Sequence, residues 1–201
     1  MDLVIVRHSI SVSNSADLIS GQSNDVSLSD KGIEYAQKVR QAYDWDRFDA
    51  VYVSPMLRTR QTAAILTNHR ADIQLDPRLM EMDFGDWDGT SADPIRVAHP
   101  DAFDYSGMFN GNYSKYAPNA ESYPDLIRRS NAFLKDIEAK HPKDSVLVVA
   151  HGLTIRALFA AATLSDVYNF TAVYNVAFNE MHLDHKDNFR ARIMHFNERL
   201  V

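Results

Sequence analysis

Arg7-His8 follows the apolar run Leu3-Val4-Ile5-Val6, and His151 follows Val146-Leu147-Val148-Val149-Ala150. Ser54 and then Arg58 come after a third run, Asp49 to Val53. Guanidinium groups give paired, charge-assisted hydrogen bonds to the oxygens of a phosphate dianion, the role that suits Arg7 and Arg58. A neutral imidazole held through one nitrogen can attack phosphorus with the other, giving a phosphohistidine that water then hydrolyses. His8, in the tight turn after the first run, is the better nucleophile candidate. His151 either joins it at the phosphate or bonds a loop carbonyl. A leaving alkoxide needs a proton at neutral pH. Glu81, at the start of a loop running to Gly89, is the candidate donor, with Asp83 as its competitor; burial at the start of a structured loop favours a carboxyl that keeps its proton.

For these residues to meet, the runs before them must be neighbouring strands. Leu3 to Val6, Asp49 to Val53 and Val146 to Ala150 are short, continuous and β-branched-rich, which suits buried parallel strands. Each precedes a helical pattern. Ser29 can cap a helix through about Tyr43, with Ile33, Ala36 and Val39 on its apolar stripe. Pro55 stands at the start of a helix whose stripe includes Leu57, Ala64 and Ile65. Helices are also expected from Glu121 to Lys140, with Pro124 in the first turn, and from Leu153 to Thr163. Ile73 to Leu75 reads as a short edge strand. Ala172 to Phe178, Met181 to Leu183 and Arg190 to Phe196 read as strands, with a polar hairpin around Asp187-Asn188. This alternation predicts one α/β domain over residues 1–201, with a mainly parallel sheet and helices on both faces. In such sheets ligands bind beyond the carboxyl ends of the strands, where Arg7, His8, Arg58 and His151 would converge. Residues 101–119 are irregular and rich in Tyr, Phe, Asn and Gly, including Tyr105, Phe109, Tyr113 and Tyr116, and are expected to form a substrate flap.

The composition excludes several other chemistries. The chain has 201 residues, a formal net charge of −6 and no cysteine. A chain this acidic lacks the basic face a nucleic-acid backbone requires, so no nucleic-acid partner is expected. Without cysteine there is no disulfide, thiolate metal site or cysteine nucleophile. His182 and His185 are three residues apart, but in a strand pattern this is not metal-ligand spacing, so no metal and no cofactor are expected. No run approaches the roughly 18 apolar residues of a membrane helix, and no basic region leads into a hydrophobic stretch. The expected setting is the cytoplasm, with no membrane partner. Arg60, Arg128 and Arg156 are assigned to the surface or to structural pairing.

Taken in order, these segments resemble the histidine phosphatase superfamily, which includes phosphoglycerate mutase-like proteins. Arg7-His8, with Ser11 and Asn14, resembles the Arg-His-Gly signature and the Thr or Ser and Asn that follow it. Leu28-Ser29-Asp30-Lys31-Gly32 resembles the Leu-Ser/Thr-x-x-Gly helix start. Ser54-Pro55-Met56-Leu57-Arg58-Thr59-Arg60-Gln61-Thr62-Ala63 resembles the segment that carries the second phosphate arginine. Leu79-Met80-Glu81-Met82-Asp83-Phe84-Gly85-Asp86-Trp87-Asp88-Gly89 is similar to the loop whose Glu is the proton donor. Ala120-Glu121-Ser122 with Arg129, and Val148-Val149-Ala150-His151-Gly152, complete the order.

The resemblance implies a three-layer α/β/α fold, a phosphohistidine on His8, Glu81 as proton donor, and a phosphate pocket of Arg7, Arg58, His151 and Asn14. Ser11, Gly21 and Gly152 are counted with them as candidate phosphate-binding positions. Ser9 departs from the signature Gly, and a position needing positive φ would be strained by its side chain. Ile10 replaces a common Glu or Gln, and Ala120 replaces a Gly. The implied activity is hydrolysis of a small phosphate monoester. A mutase would return the phosphate to a second hydroxyl and generally carries extra basic substrate contacts, whereas Lys115 is the only lysine or arginine in the flap. A non-catalytic phosphate-binding module on the same fold would need the arginines but not the acid. Oligomeric state is left open.

Overall fold

Residues 1–201 are described by a computed structural model. Its strands, β1 (Asp2–Arg7), β2 (Ala50–Val53), β3 (Gln74–Leu75), β4 (Ser145–Ala150), β5 (Phe178–Asp184) and β6 (Arg190–Glu198), form one sheet ordered β3-β2-β4-β1-β5-β6. The four strands from β3 to β1 run parallel, and β5 and β6 close the sheet antiparallel. The helices are α1 (Val12–Ser15), α2 (Asp30–Ala42), α3 (Leu57–Leu66), α4 (Ala92–Ala98), α5 (Tyr123–Lys140) and α6 (Gly152–Thr163).

The two faces of the sheet are read off by alternation. Leu3 and Ile5 of β1, Tyr52 of β2 and Val146 and Val148 of β4 pack in one core with Leu126, Phe133 and Ile137 of α5 and Ile155 and Leu158 of α6. Val4, Val6, Val51, Val53, Leu147 and Val149 pack in the other with Val39 of α2, Ala63 and Leu66 of α3, and Trp45. A helix layer on each face makes the fold a three-layer α/β/α sandwich with a mainly parallel sheet. Each fully buried Val, Leu or Ile contributes about 1.5–3 kcal/mol by leaving water. This is why the central strands are continuous apolar runs.

Four readings of the sequence are corrected. Ala172 to Phe178 is not a strand. Val176 sits in the left-handed region at φ 52°, Ala177 N–H donates to Tyr174 O, and Val176 N–H donates to Arg7 O, so the chain turns across the end of β1 before β5 begins. The buried stripe of α3 is Arg58, Thr59, Thr62, Ala63 and Leu66, and Ala64 and Ile65 are only half-buried. That helix packs a polar face against the turn after β1. Residues 92–98 form a helix capped by Ser91 that the sequence did not suggest. Arg156, expected at the surface or in a structural pair, is fully buried in α6.

Candidate active site

Parallel pairing brings the ends of β1, β2 and β4 together, and the ladder continues one residue into each turn. His8 N–H donates to Ala150 O at 2.9 Å and Ser54 N–H to Val149 O at 3.0 Å. His8 and His151 therefore lie side by side, with ring centroids 5.2 Å apart at 61°. Both are buried.

His8 Nδ1 lies 2.7 Å from Ser9 O. A carbonyl can only accept, so the ring proton is on Nδ1 and the Nε2 lone pair is free. Burial first, then the charges of Arg7 and Arg58, hold the His8 imidazole well below its ordinary value, which keeps it neutral. His151 is lowered for the same reasons, with burial first and Arg58 next. Its Nε2 lies 2.8 Å from Ser54 Oγ. Met56 N–H also donates to that hydroxyl oxygen; with the hydroxyl proton given to Nε2, the His151 ring carries its proton on Nδ1.

Stability carries the signature of these two histidines. Below the ordinary imidazole value of 6.5 the unfolded chain binds protons that the folded chain refuses. Stability contributed by the two neutral rings is therefore lost as pH falls from 6.5 toward their lowered folded values. Urea unfolding at pH 7 and pH 5 should show this decline, and it should shrink in His8→Ala.

Arg7 Nη1 donates to Val173 O at 2.6 Å. Arg58 is fully buried on α3, and its Nη2 donates to Gly21 O at 2.9 Å and its Nη1 to Asn24 O at 3.3 Å. Arg7 Nε, Arg58 Nε and His151 Nδ1 are buried without a protein partner. Three such orphaned donors in one protein are expensive unless an anion satisfies them. Burial lowers both arginines, and the nearby Glu81 charge works against that shift.

Glu81 is buried and meets the start of α6: Oε2 accepts from Leu153 N–H at 3.3 Å, and Oε1 from Thr154 N–H and Thr154 Oγ1, each at 3.2 Å. A Cβ added at Gly152 would lie 3.6 Å from Arg7 Nε and 3.8 Å from Glu81 Oε2, so Gly152, Arg7 and Glu81 share one corner. Asp83 does not compete, because its Oδ1 accepts from Gly85 N–H at 2.9 Å and folds the loop. Gly85 itself has φ 54°, and a Cβ there would meet Pro118 O at 2.0 Å. Arg129 fixes the loop from α5: Nη1 donates to Arg78 O and Met80 O, Nη2 to Glu81 O, and the guanidinium pairs with Glu121 at 2.7 and 2.9 Å.

Other candidate positions act at one remove from the four cations and imidazoles. Ser11 caps α1, its hydroxyl accepting from Asn14 N–H and donating to Asn14 Oδ1, so it orients Asn14 and offers no free hydroxyl. Gly21 acts through its carbonyl on Arg58, and its N–H donates to Asp88 Oδ1 at 2.7 Å. Ser9 is not in the left-handed region. It is fully buried, its hydroxyl donating to Gly32 O at 2.7 Å and its N–H to Thr62 Oγ1 at 2.9 Å, so the added hydroxyl ties the turn after β1 to α2 while the backbone amide ties it to α3. The sequence missed Asn175, whose Nδ2 donates to His8 O at 3.0 Å and lies 3.4 Å from Asn14 Oδ1. In the 101–119 segment, Phe109 and Tyr113 pack tilted or edge-on against Phe84 and Trp87, and Tyr105 is exposed. The segment's residue at the site is Met108, which lines a cavity with Arg7 and Glu81.

No helix is long and apolar enough to cross a membrane. The family model of the histidine phosphatase superfamily (branch 1) matches residues 3–196. The chain is 25% identical over 189 residues to phosphoserine phosphatase 1 of Hydrogenobacter thermophilus, covering 92% of this chain and 88% of that protein. It is 30% identical over 161 residues to the adenosylcobalamin/alpha-ribazole phosphatase of Salmonella typhimurium, covering 80% and 78%. Among solved structures, a mycobacterial glucosyl-3-phosphoglycerate phosphatase superposes with a TM-score of 0.83, with 25% identity over 98% of this chain and 99% of that one. Family model, phosphatase relatives and shared architecture agree, and the chain belongs to branch 1 of the histidine phosphatase superfamily.

Proposed function

We propose that this protein is a metal-independent phosphomonoesterase that hydrolyses a small phosphate ester through a phosphohistidine on His8. The observation that carries the reading is the His8 ring itself. Its Nδ1–H is held by Ser9 O, its Nε2 lone pair is free, and buried donors of Arg7, Arg58 and His151 have no protein partner. In the first step Nε2 attacks phosphorus, the P–O bond to the leaving group breaks, and Glu81, as the general acid, delivers a proton to the departing oxygen. In the second step Glu81 takes a proton from water as that water attacks the phosphohistidine, releasing inorganic phosphate and restoring His8. Arg7, Arg58 and His151 stabilise the charge on the phosphoryl oxygens, with Asn14 as a further contact. The 101–119 segment would cover the leaving group, chiefly through Met108.

Hydrolysis is favoured over mutase chemistry because the flap's lysine, Lys115, is spent on Asn112 Oδ1 at 2.6 Å, away from the phosphate cations. A chain of net charge −6 must hold a small phosphorylated substrate through a few placed cations, and a chain without cysteine fits a reducing cytoplasm. The test is release of inorganic phosphate from an aryl phosphate in the presence of a chelator and without a bisphosphate primer. Full turnover is expected. Loss of turnover on chelation, or dependence on a primer, would overturn the proposal.

A further inference from the structure

We infer that Arg156 receives a carboxylate on the leaving group, so that the preferred substrates are short phosphorylated hydroxy acids; this rests on the phosphatase reading above. Arg156 is fully buried in α6, one turn beyond Gly152. Its Nη2 donates to Val167 O at 3.2 Å, while its Nε and Nη1 have no partner. It is thus a buried cation with two donors to spare, an arrangement that is costly in a fold that never satisfies it. The Asp104 carboxylate and the Tyr123 hydroxyl lie near its charge, and both also make bonds elsewhere. Asp104 Oδ1 accepts from Ser106 N–H, Ser106 Oγ and Met108 N–H, and the Tyr123 hydroxyl donates to Phe109 O at 2.7 Å.

The position of Arg156 relative to the chemistry identifies what it would hold. Arg156 lines a cavity of about 170 Å³ together with Arg7, Glu81, Gly152, Leu153 and Met108. A proton donor must touch the leaving oxygen, so a space walled by Glu81 lies on the leaving-group side, and Arg7 ties it to the phosphate. The cavity has the volume of about five or six liquid waters, enough for a short chain. Leu153 and Met108 offer apolar walls to the carbons of that chain, and Arg156 offers the charge for its end. A carboxylate there would accept charge-assisted hydrogen bonds from the Nε and Nη1 that the protein leaves without a partner.

The experiment compares 3-phosphoglycerate with glycerol 3-phosphate, which carries an uncharged hydroxymethyl in place of the carboxylate, in wild type, Arg156→Lys and Arg156→Met. An aryl phosphate is the control. The ratio of kcat/KM values should favour 3-phosphoglycerate by at least about tenfold in wild type and fall toward one in Arg156→Met, with Arg156→Lys between. A purely structural role would lower both substrates together. A wild-type ratio near one, or a ratio that survives Arg156→Met, overturns the inference even though the aryl phosphate is hydrolysed. If the aryl phosphate is not hydrolysed either, the phosphatase reading fails, and calorimetric binding of the two esters to wild type still decides the role of Arg156: equal affinities overturn it. If Arg156→Met does not fold, the wild-type ratio and Arg156→Lys decide.

Discussion

His8→Ala should lower phosphate release from every ester by roughly 10⁴-fold or more, as expected when a covalent nucleophile is removed from a site whose members act as a unit. The substitution should leave the fold intact. The ring bonds through Nδ1 to Ser9 O, a bond worth about 1 kcal/mol net, and its removal also relieves the burial of an imidazole beside two guanidinium groups. Phosphate release and thermal unfolding of the same preparation check both halves. Turnover within tenfold of wild type would mean that water, and not Nε2, attacks phosphorus.

Glu81→Gln should separate alkyl from aryl esters. The amide keeps the shape of the carboxyl but cannot deliver a proton, so an alkyl ester, whose alkoxide leaves poorly, should lose about 10²–10⁴-fold in kcat. An aryl phosphate should lose less than about tenfold, because a phenolate departs with little help. The variant should also be somewhat less stable, by about 1–3 kcal/mol. Glu81 accepts from the amides of Leu153 and Thr154 and from the Thr154 hydroxyl, and a glutamine presents an N–H₂ to one of them. Plots of log kcat against leaving-group pKa for the two enzymes check the role. Equal losses on alkyl and aryl esters would assign Glu81 to positioning and remove it from proton transfer.

The parts of the site that lie at strand ends were legible because the strands themselves are. Val146 to Ala150 is buried from both sides, so its sequence is a continuous apolar run, and His151 follows at the sheet edge where an α/β fold gathers ligands. Arg58 was legible only through its segment. Its helix buries Thr59 and Thr62 against the turn at Ser9, and a polar buried face leaves no apolar stripe to read. Asn175 was invisible for a related reason. It stands in a stretch with the composition of a strand, which turns instead because Val176 takes a left-handed conformation and bonds Arg7 O. Propensity gave way there to a tertiary contact. Arg156 was misplaced because arginine is rarely buried without a partner. The exceptions to that rule fall where a protein binds something.

Ser9 shows how a departure from a family signature can be absorbed locally. The backbone there does not require glycine, and the added hydroxyl donates to Gly32 O. Gly32 in turn is tightly constrained, since a Cβ on it would lie 2.0 Å from Ile10 O. The turn that presents His8 is therefore held from α2 by a serine hydroxyl and a bare glycine, and from α3 by Thr62.

The central claim is that phosphate passes through His8, and the most direct measurement is to mix the enzyme with a ³²P-labelled ester, quench within milliseconds in alkali and map the label. Phosphohistidine on His8, stable to alkali, labile to acid and absent from His8→Ala, is the predicted result. Full turnover with no label on the protein, or label on a residue other than His8, would contradict the account.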